Sequence, residues 1–75
     1  MAVKIESYGQ LAEITGKAFS LDVNDTNHLT RILTDKYHAF ANMKYMVAVN
    51  RKVVSTNTQL NPTDSVALLP PYSGG

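Results

Sequence analysis

The 75 residues contain no cysteine. That absence excludes disulfide staples, thiolate metal sites and a side-chain thiol nucleophile. Charge of one sign is equally scarce: seven Lys and Arg stand against six Asp and Glu, a net of +1. The charges are scattered, so no basic patch for nucleic acid and no trap for acidic substrates is visible. No apolar run approaches the roughly 20 residues of a membrane span. The opening "MAVKIESYGQ" lacks the apolar centre of a secretion signal. The expectation is a soluble cytoplasmic protein with no membrane and no nucleic-acid partner. Glycine is short too, at four, yet two of the four are the last two residues, Gly74 and Gly75. At a background usage of roughly 7%, chance yields such a pair in about one chain in two hundred. It is either an unselected end or a working one.

What is present reads as one small α+β domain over 1–75, with a narrow margin of stability at this length. "AVKIESY" alternates, placing Val3, Ile5 and Ser7 on one face and Lys4, Glu6 and Tyr8 on the other, as in a strand with one buried side. "GQLAEITG" has room for one or two helical turns, and "KAFSLDV" alternates again through Phe19, Leu21 and Val23. The period then changes. Leu29, Ile32, Leu33, Tyr37 and Phe40 recur at helical spacing, predicting one helix from about Asp25 to Phe40 with Asp25 or Thr26 as its cap. "YMVAVN" and "KVVS" form a tight hairpin around Arg51-Lys52, and "SVALLP" is a last strand closed by prolines. Strand, strand, helix, strand, strand, strand is the order of a β-grasp, or ubiquitin-like, fold: a mixed sheet of about five strands on one main helix. On the last strand Val66 and Leu68 serve the helix side, which leaves Ala67 and Leu69 facing outward, as Tyr8 does by the same parity. Such a cluster near a chain end is a candidate partner surface.

Pro70 and Pro71 end strand pairing and start the chain outward in an extended form. The tail 70–75, "PPYSGG", can reach about 20 Å at roughly 3.3 Å per residue. Its two glycines let backbone pass a slot too narrow for a Cβ. What then emerges is the Gly75 carboxylate. A carboxylate is a poor electrophile, and activation needs a leaving group, such as the adenylate formed with ATP. The chain has no phosphate-binding loop and no catalytic triad, so another protein must activate it. A sulfur nucleophile attacking the acyl-adenylate leaves a thiocarboxylate. Without cysteine, carried sulfur can sit only at that terminus. The other reactive types give ordinary readings. His28 and His38, ten apart, share no helix face and so no metal site; Lys44, Arg51 and Lys52 form a solvated face; Glu13 caps or pairs locally.

The ending "LLPPYSGG" after "NPTDSVA", the early "YGQLAEITG" and the central "VAVNRKVV" resemble the small, sulfur-carrying subunit of molybdopterin synthase, over essentially the whole chain. Thiamine-pathway sulfur carriers also end in Gly-Gly, but usually without the double proline. The resemblance implies that a ubiquitin-activating-like enzyme adenylates Gly75 with ATP and that a separate sulfur donor protein supplies sulfur for the thiocarboxylate. It implies that the tail, including Gly74, Pro70, Pro71, Tyr72 and Ser73, enters the large subunit of a heterotetramer. There the sulfur passes to cyclic pyranopterin monophosphate to build the molybdopterin dithiolene. The small subunit is not catalytic alone and binds no cofactor stably. Matched segment to segment, its apolar contact falls on Tyr8, Val53 and Leu69. One departure is Ala12, where the family often carries arginine ahead of the position of Glu13. A carrier for thiamine or another pathway, a ubiquitin-like protein modifier and a non-catalytic binding module are the alternatives.

Overall fold

The computed structural model describes residues 2–71. Its elements are β1 (Val3–Ser7), α1 (Gln10–Thr15), β2 (Ala18–Leu21), α2 (Thr26–Lys36), a 3₁₀ helix (His38–Asn42), β3 (Met46–Val49), β4 (Lys52–Val54) and β5 (Ser65–Leu69). The strands form one sheet in the order β2-β1-β5-β3-β4. The central pair, β1 with β5, is parallel, and the outer pairs are antiparallel. This is the β-grasp arrangement, with the last strand in chain order lying between the first and the third.

Alternation sets the faces. Val3 and Ile5 of β1, Val47 and Val49 of β3, and Val66 and Leu68 of β5 are buried together against Leu29 and Leu33 of α2. Each such side chain contributes roughly 1.5–3 kcal/mol on leaving water. Leu11 from α1, Val23 from the turn before α2 and Leu60 from the loop before β5 complete this core. Val23 continues the alternation of Phe19 and Leu21 seen in the sequence; Leu11 and Leu60 were not singled out there, each lying in a segment too short to display a period. Leu21 and Ile32, expected inside, lie half-buried at its margin.

The long helix is a correction. It stops at Lys36, because Tyr37 is extended (φ −124°, ψ 104°), and a separate 3₁₀ helix carries Phe40 into the core. Eleven residues, at about 1.5 Å each, already cross the sheet, and the chain must turn back to reach β3. Phe40 keeps the helical phase of Leu29 and Leu33 only by coincidence of spacing. Its ring is held by Tyr37 and Tyr45, at centroid distances of 5.9 and 5.0 Å. At the other end of α2, Asp25 is the cap, its Oδ1 accepting from the His28 backbone N–H at 2.8 Å. The loop ahead of β5 fastens there as well: Thr26 N–H donates to the Thr58 carbonyl, and Leu60 N–H to that of Asn24, both at 2.9 Å.

Candidate docking face and tail exit

One side of the sheet carries α2. The strand register fixes what the other side presents. Glu6 pairs with Ala67, Ala67 with Ala48, and Ala48 with Val53, so these four lie in one row across β1, β5, β3 and β4. The next row begins with Leu69 opposite Met46. Tyr8 stands one residue beyond the pairing of Ser7 with Leu68 and continues that row. Its hydroxyl donates to Glu6 Oε2 at 3.3 Å, which lays the ring along the same face. Tyr8 and Val53 are the large apolar side chains left most open among the described residues, at 46% and 56% exposed. Leu69 and Met46 are half-buried beside them. The sheet thus brings Tyr8, Leu69 and Val53 onto one apolar face, with half-buried Ala67 and buried Ala48 between them. Met46 and Ala48 belong to this face and escaped the sequence reading. The inward Val47 and Val49 leave both on this side by parity, and no polar neighbour in "MVAV" singles them out.

The chain leaves the sheet at the edge of that face. β5 ends at Leu69, and Pro70, half-buried, is followed by exposed Pro71. Pro70 packs against Gly9, between β1 and α1; a Cβ on Gly9 would lie 2.8 Å from the Pro70 Cγ. Gly9 also has φ +59°, which disfavours any residue with a side chain. Beneath it, Thr15 Oγ1 donates to the Ser7 Oγ at 2.8 Å and ties α1 to the end of β1. Tyr72, Ser73, Gly74 and Gly75, the remaining tail residues singled out in the sequence, lie outside the described residues.

The other polar groups have structural work. His28 is on α2, where its Nδ1 accepts from the Asn24 N–H at 3.3 Å, while His38 begins the 3₁₀ helix, so the two do not share one helix. No group of three or more His, Asp or Glu able to hold a metal occurs among the described residues. Asp64 accepts from Asn50 Nδ2 at 3.0 Å and from the Asn61 N–H at 2.8 Å, linking the β3–β4 turn to the start of β5. That turn is Asn50-Arg51, one residue earlier than the sequence suggests, with Lys52 already in β4. No helix of the described residues is long and apolar enough to cross a membrane.

The sequence pattern of the ThiS family matches residues 5–75. This chain belongs to the ThiS family. A chain in the protein-protein complex of subunits 1 and 2 of molybdopterin-converting factor from Helicobacter pylori 26695 is similar over 100% of both chains, at 29% identity and a TM-score of 0.75. The small archaeal modifier protein 1 of Methanosarcina acetivorans is 23% identical, over 99% of this chain and 96% of its own, at a TM-score of 0.77. The Haloferax volcanii HVO 2177 protein is 22% identical, over 100% and 87%, at 0.82. At the two lower identities the likeness carries the β-grasp fold. With the family match and the molybdopterin-converting neighbour, the chain is a β-grasp member of the ThiS and MoaD family of sulfur carriers.

Proposed function

We propose that this ThiS-family protein is the sulfur-carrying small subunit of a molybdopterin synthase. In this reading the apolar face of Tyr8, Leu69, Met46, Ala67 and Val53 docks on the large subunit. The tail from Pro70 to Gly75 delivers the reacting group. The observation that carries it is the juxtaposition of that face with the exit of a Gly-Gly tail at Pro70, in a family member whose neighbour of 29% identity is a chain of a molybdopterin-converting complex. The chemistry has two stages. An adenylating enzyme joins the Gly75 carboxylate to the AMP of ATP, releasing pyrophosphate. Sulfur at the hydrosulfide level, from a donor protein, then attacks the acyl carbon; a C–S bond forms, the C–O bond to AMP breaks, and a thiocarboxylate remains. In the large subunit that sulfur bonds to a carbon of cyclic pyranopterin monophosphate; water then cleaves the acyl C–S bond and returns the Gly75 carboxylate, and two charged carriers in turn supply the two sulfurs of one dithiolene. The docking face supplies affinity, and the narrow tail supplies reach.

Mass spectrometry of the chain isolated from its own cell tests the proposal. The expected result is an oxygen-to-sulfur mass increase confined to the C-terminal peptide. Isopeptide bonds from Gly75 to lysines of other proteins, with no thiocarboxylate, would replace it with a protein-modifier function. An unmodified tail, together with full cellular activity after the tail is removed, would leave only a binding module.

A further inference from the structure

We infer that the junction of Tyr8, Gly9 and Pro70 is a positioning device that aims the tail. The inference rests on the sulfur-carrier reading and concerns how the carrier presents its terminus. β1 and β5 form a parallel ladder, whose slanted bonds alternate regularly between the strands. The last rung runs from the Tyr8 N–H to the Leu68 carbonyl at 3.1 Å. The next would run from the N–H of residue 70 to the Tyr8 carbonyl. Pro70 has no N–H. The Tyr8 carbonyl accepts instead from the Leu11 N–H at 3.2 Å. That bond closes a four-residue turn, Tyr8 to Leu11, with Gly9 second at φ +59° and ψ −135°. Those angles are the ones a type II′ turn asks of its second residue, where glycine is favoured.

The proline therefore does more than end the strand. By leaving the Tyr8 carbonyl free, it lets the turn form, and the turn presents the bare Cα of Gly9 to the Pro70 ring. A methyl group there would stand 2.8 Å from Cγ, closer than atoms can rest. The fixed φ of Pro70 and this contact together set the direction of departure from β5. Five residues, 71–75, span at most about 17 Å if fully extended, so the point and direction of departure from β5 limit where the terminus can be delivered. A misplacement of about 1 Å at the reacting atom can cost roughly a hundredfold in rate. Gly9 lies beside the docking face, not within it, so its effect belongs to the chemical step and not to affinity.

The test uses thiocarboxylated full-length chain and the purified large subunit from the same organism, with single-turnover sulfur transfer to cyclic pyranopterin monophosphate. Gly9→Ala is expected to lower the transfer rate constant by about tenfold or more, with affinity for the large subunit within about twofold of the parent. Adding Pro70→Ala removes Cγ from the clash and should recover part of that loss. Pro70→Ala alone restores an N–H that competes for the Tyr8 carbonyl. It should speed hydrogen exchange at the Leu11 amide and slow transfer severalfold. A folded Gly9→Ala chain that transfers at the parental rate overturns the inference, as does a loss expressed wholly in affinity or one unmoved by Pro70→Ala. Should Gly9→Ala not fold, Pro70→Ala decides: parental transfer with unchanged Leu11 exchange overturns it. A parent chain that transfers no sulfur overturns the carrier reading itself, and this inference with it.

Discussion

Leu69 is where the chemistry of a single side chain matters most to recognition. It is half-buried on the apolar face, between Tyr8 and Met46, and makes no demand on the core behind it. Leu69→Glu should leave the fold intact and weaken docking by at least ~2 kcal/mol, since a carboxylate would be desolvated in an apolar contact. Circular dichroism and a binding titration against the large subunit check this together; parental affinity in a folded variant removes Leu69 from the interface. Two carboxylates act on stability instead. The His28 backbone N–H holds the Asp25 carboxyl below its ordinary value, and Asn50, with the Asn61 backbone, does the same for Asp64. Both groups are more acidic in the folded chain. Their contribution is complete above the unfolded value of about 3.9 and is lost as pH falls through the folded values. Asp64→Asn should therefore flatten the acid side of a stability profile below about pH 4, measured by denaturant midpoints, and leave its slope near neutrality unchanged. An identical acid slope in the variant would contradict the assignment.

Elements show which parts of the fold a sequence can announce. Leu33 is fully buried between α2 and the sheet, and Leu33→Ala should cost about 2–5 kcal/mol in equilibrium unfolding. A loss within about 0.5 kcal/mol would mean that α2 packs by another face. In the β3–β4 hairpin, Asn50 and Arg51 have φ of 51° and 70°, the two left-handed positions of a type I′ turn. Asn50 is suited to its place and also bonds Asp64 and the Ser65 N–H. Arg51 is not, and Arg51→Gly should raise stability by a few tenths to about 1 kcal/mol, offset in part by the entropy glycine adds to the unfolded chain. A thermal midpoint below the parent's would show that the Arg51 side chain holds something the backbone argument omits. The strands β1 and β5 and the inner face of α2 were legible because period 2 and period 3.6 stand out against polar neighbours. The break at Tyr37 was not, because Phe40 happens to fall in phase, and nothing local in "DKYHAF" marks the end. Leu60 was hidden for the opposite reason: it sits singly in a loop, and only tertiary closure buries it.

For the whole molecule, the parallel pairing of β1 with β5 is the fact that joins fold to function. It places the chain's last strand in the middle of the sheet, so the tail starts from the best-anchored part of the core, beside the apolar face. Parity already placed Tyr8 and Leu69 outward; their meeting with Val53 depends on strand order, which no local pattern encodes. Gly9 was visible only as a break after a strand. Its partner Pro70 lies sixty-one residues away in the chain, so the contact that restricts it to glycine emerges only in three dimensions. In the proposed function the Gly75 carboxyl carries the sulfur and the folded domain delivers it. Dithiolene formation with the chain lacking Gly75, alongside its ATP-dependent charging and its unfolding curve, decides whether it does. The deletion shortens the tail by about 3.3–3.6 Å. Stability within about 0.5 kcal/mol of the parent, with charging and sulfur transfer both lost, is the predicted result. Charging and transfer at the parental rate by the shortened chain would contradict it.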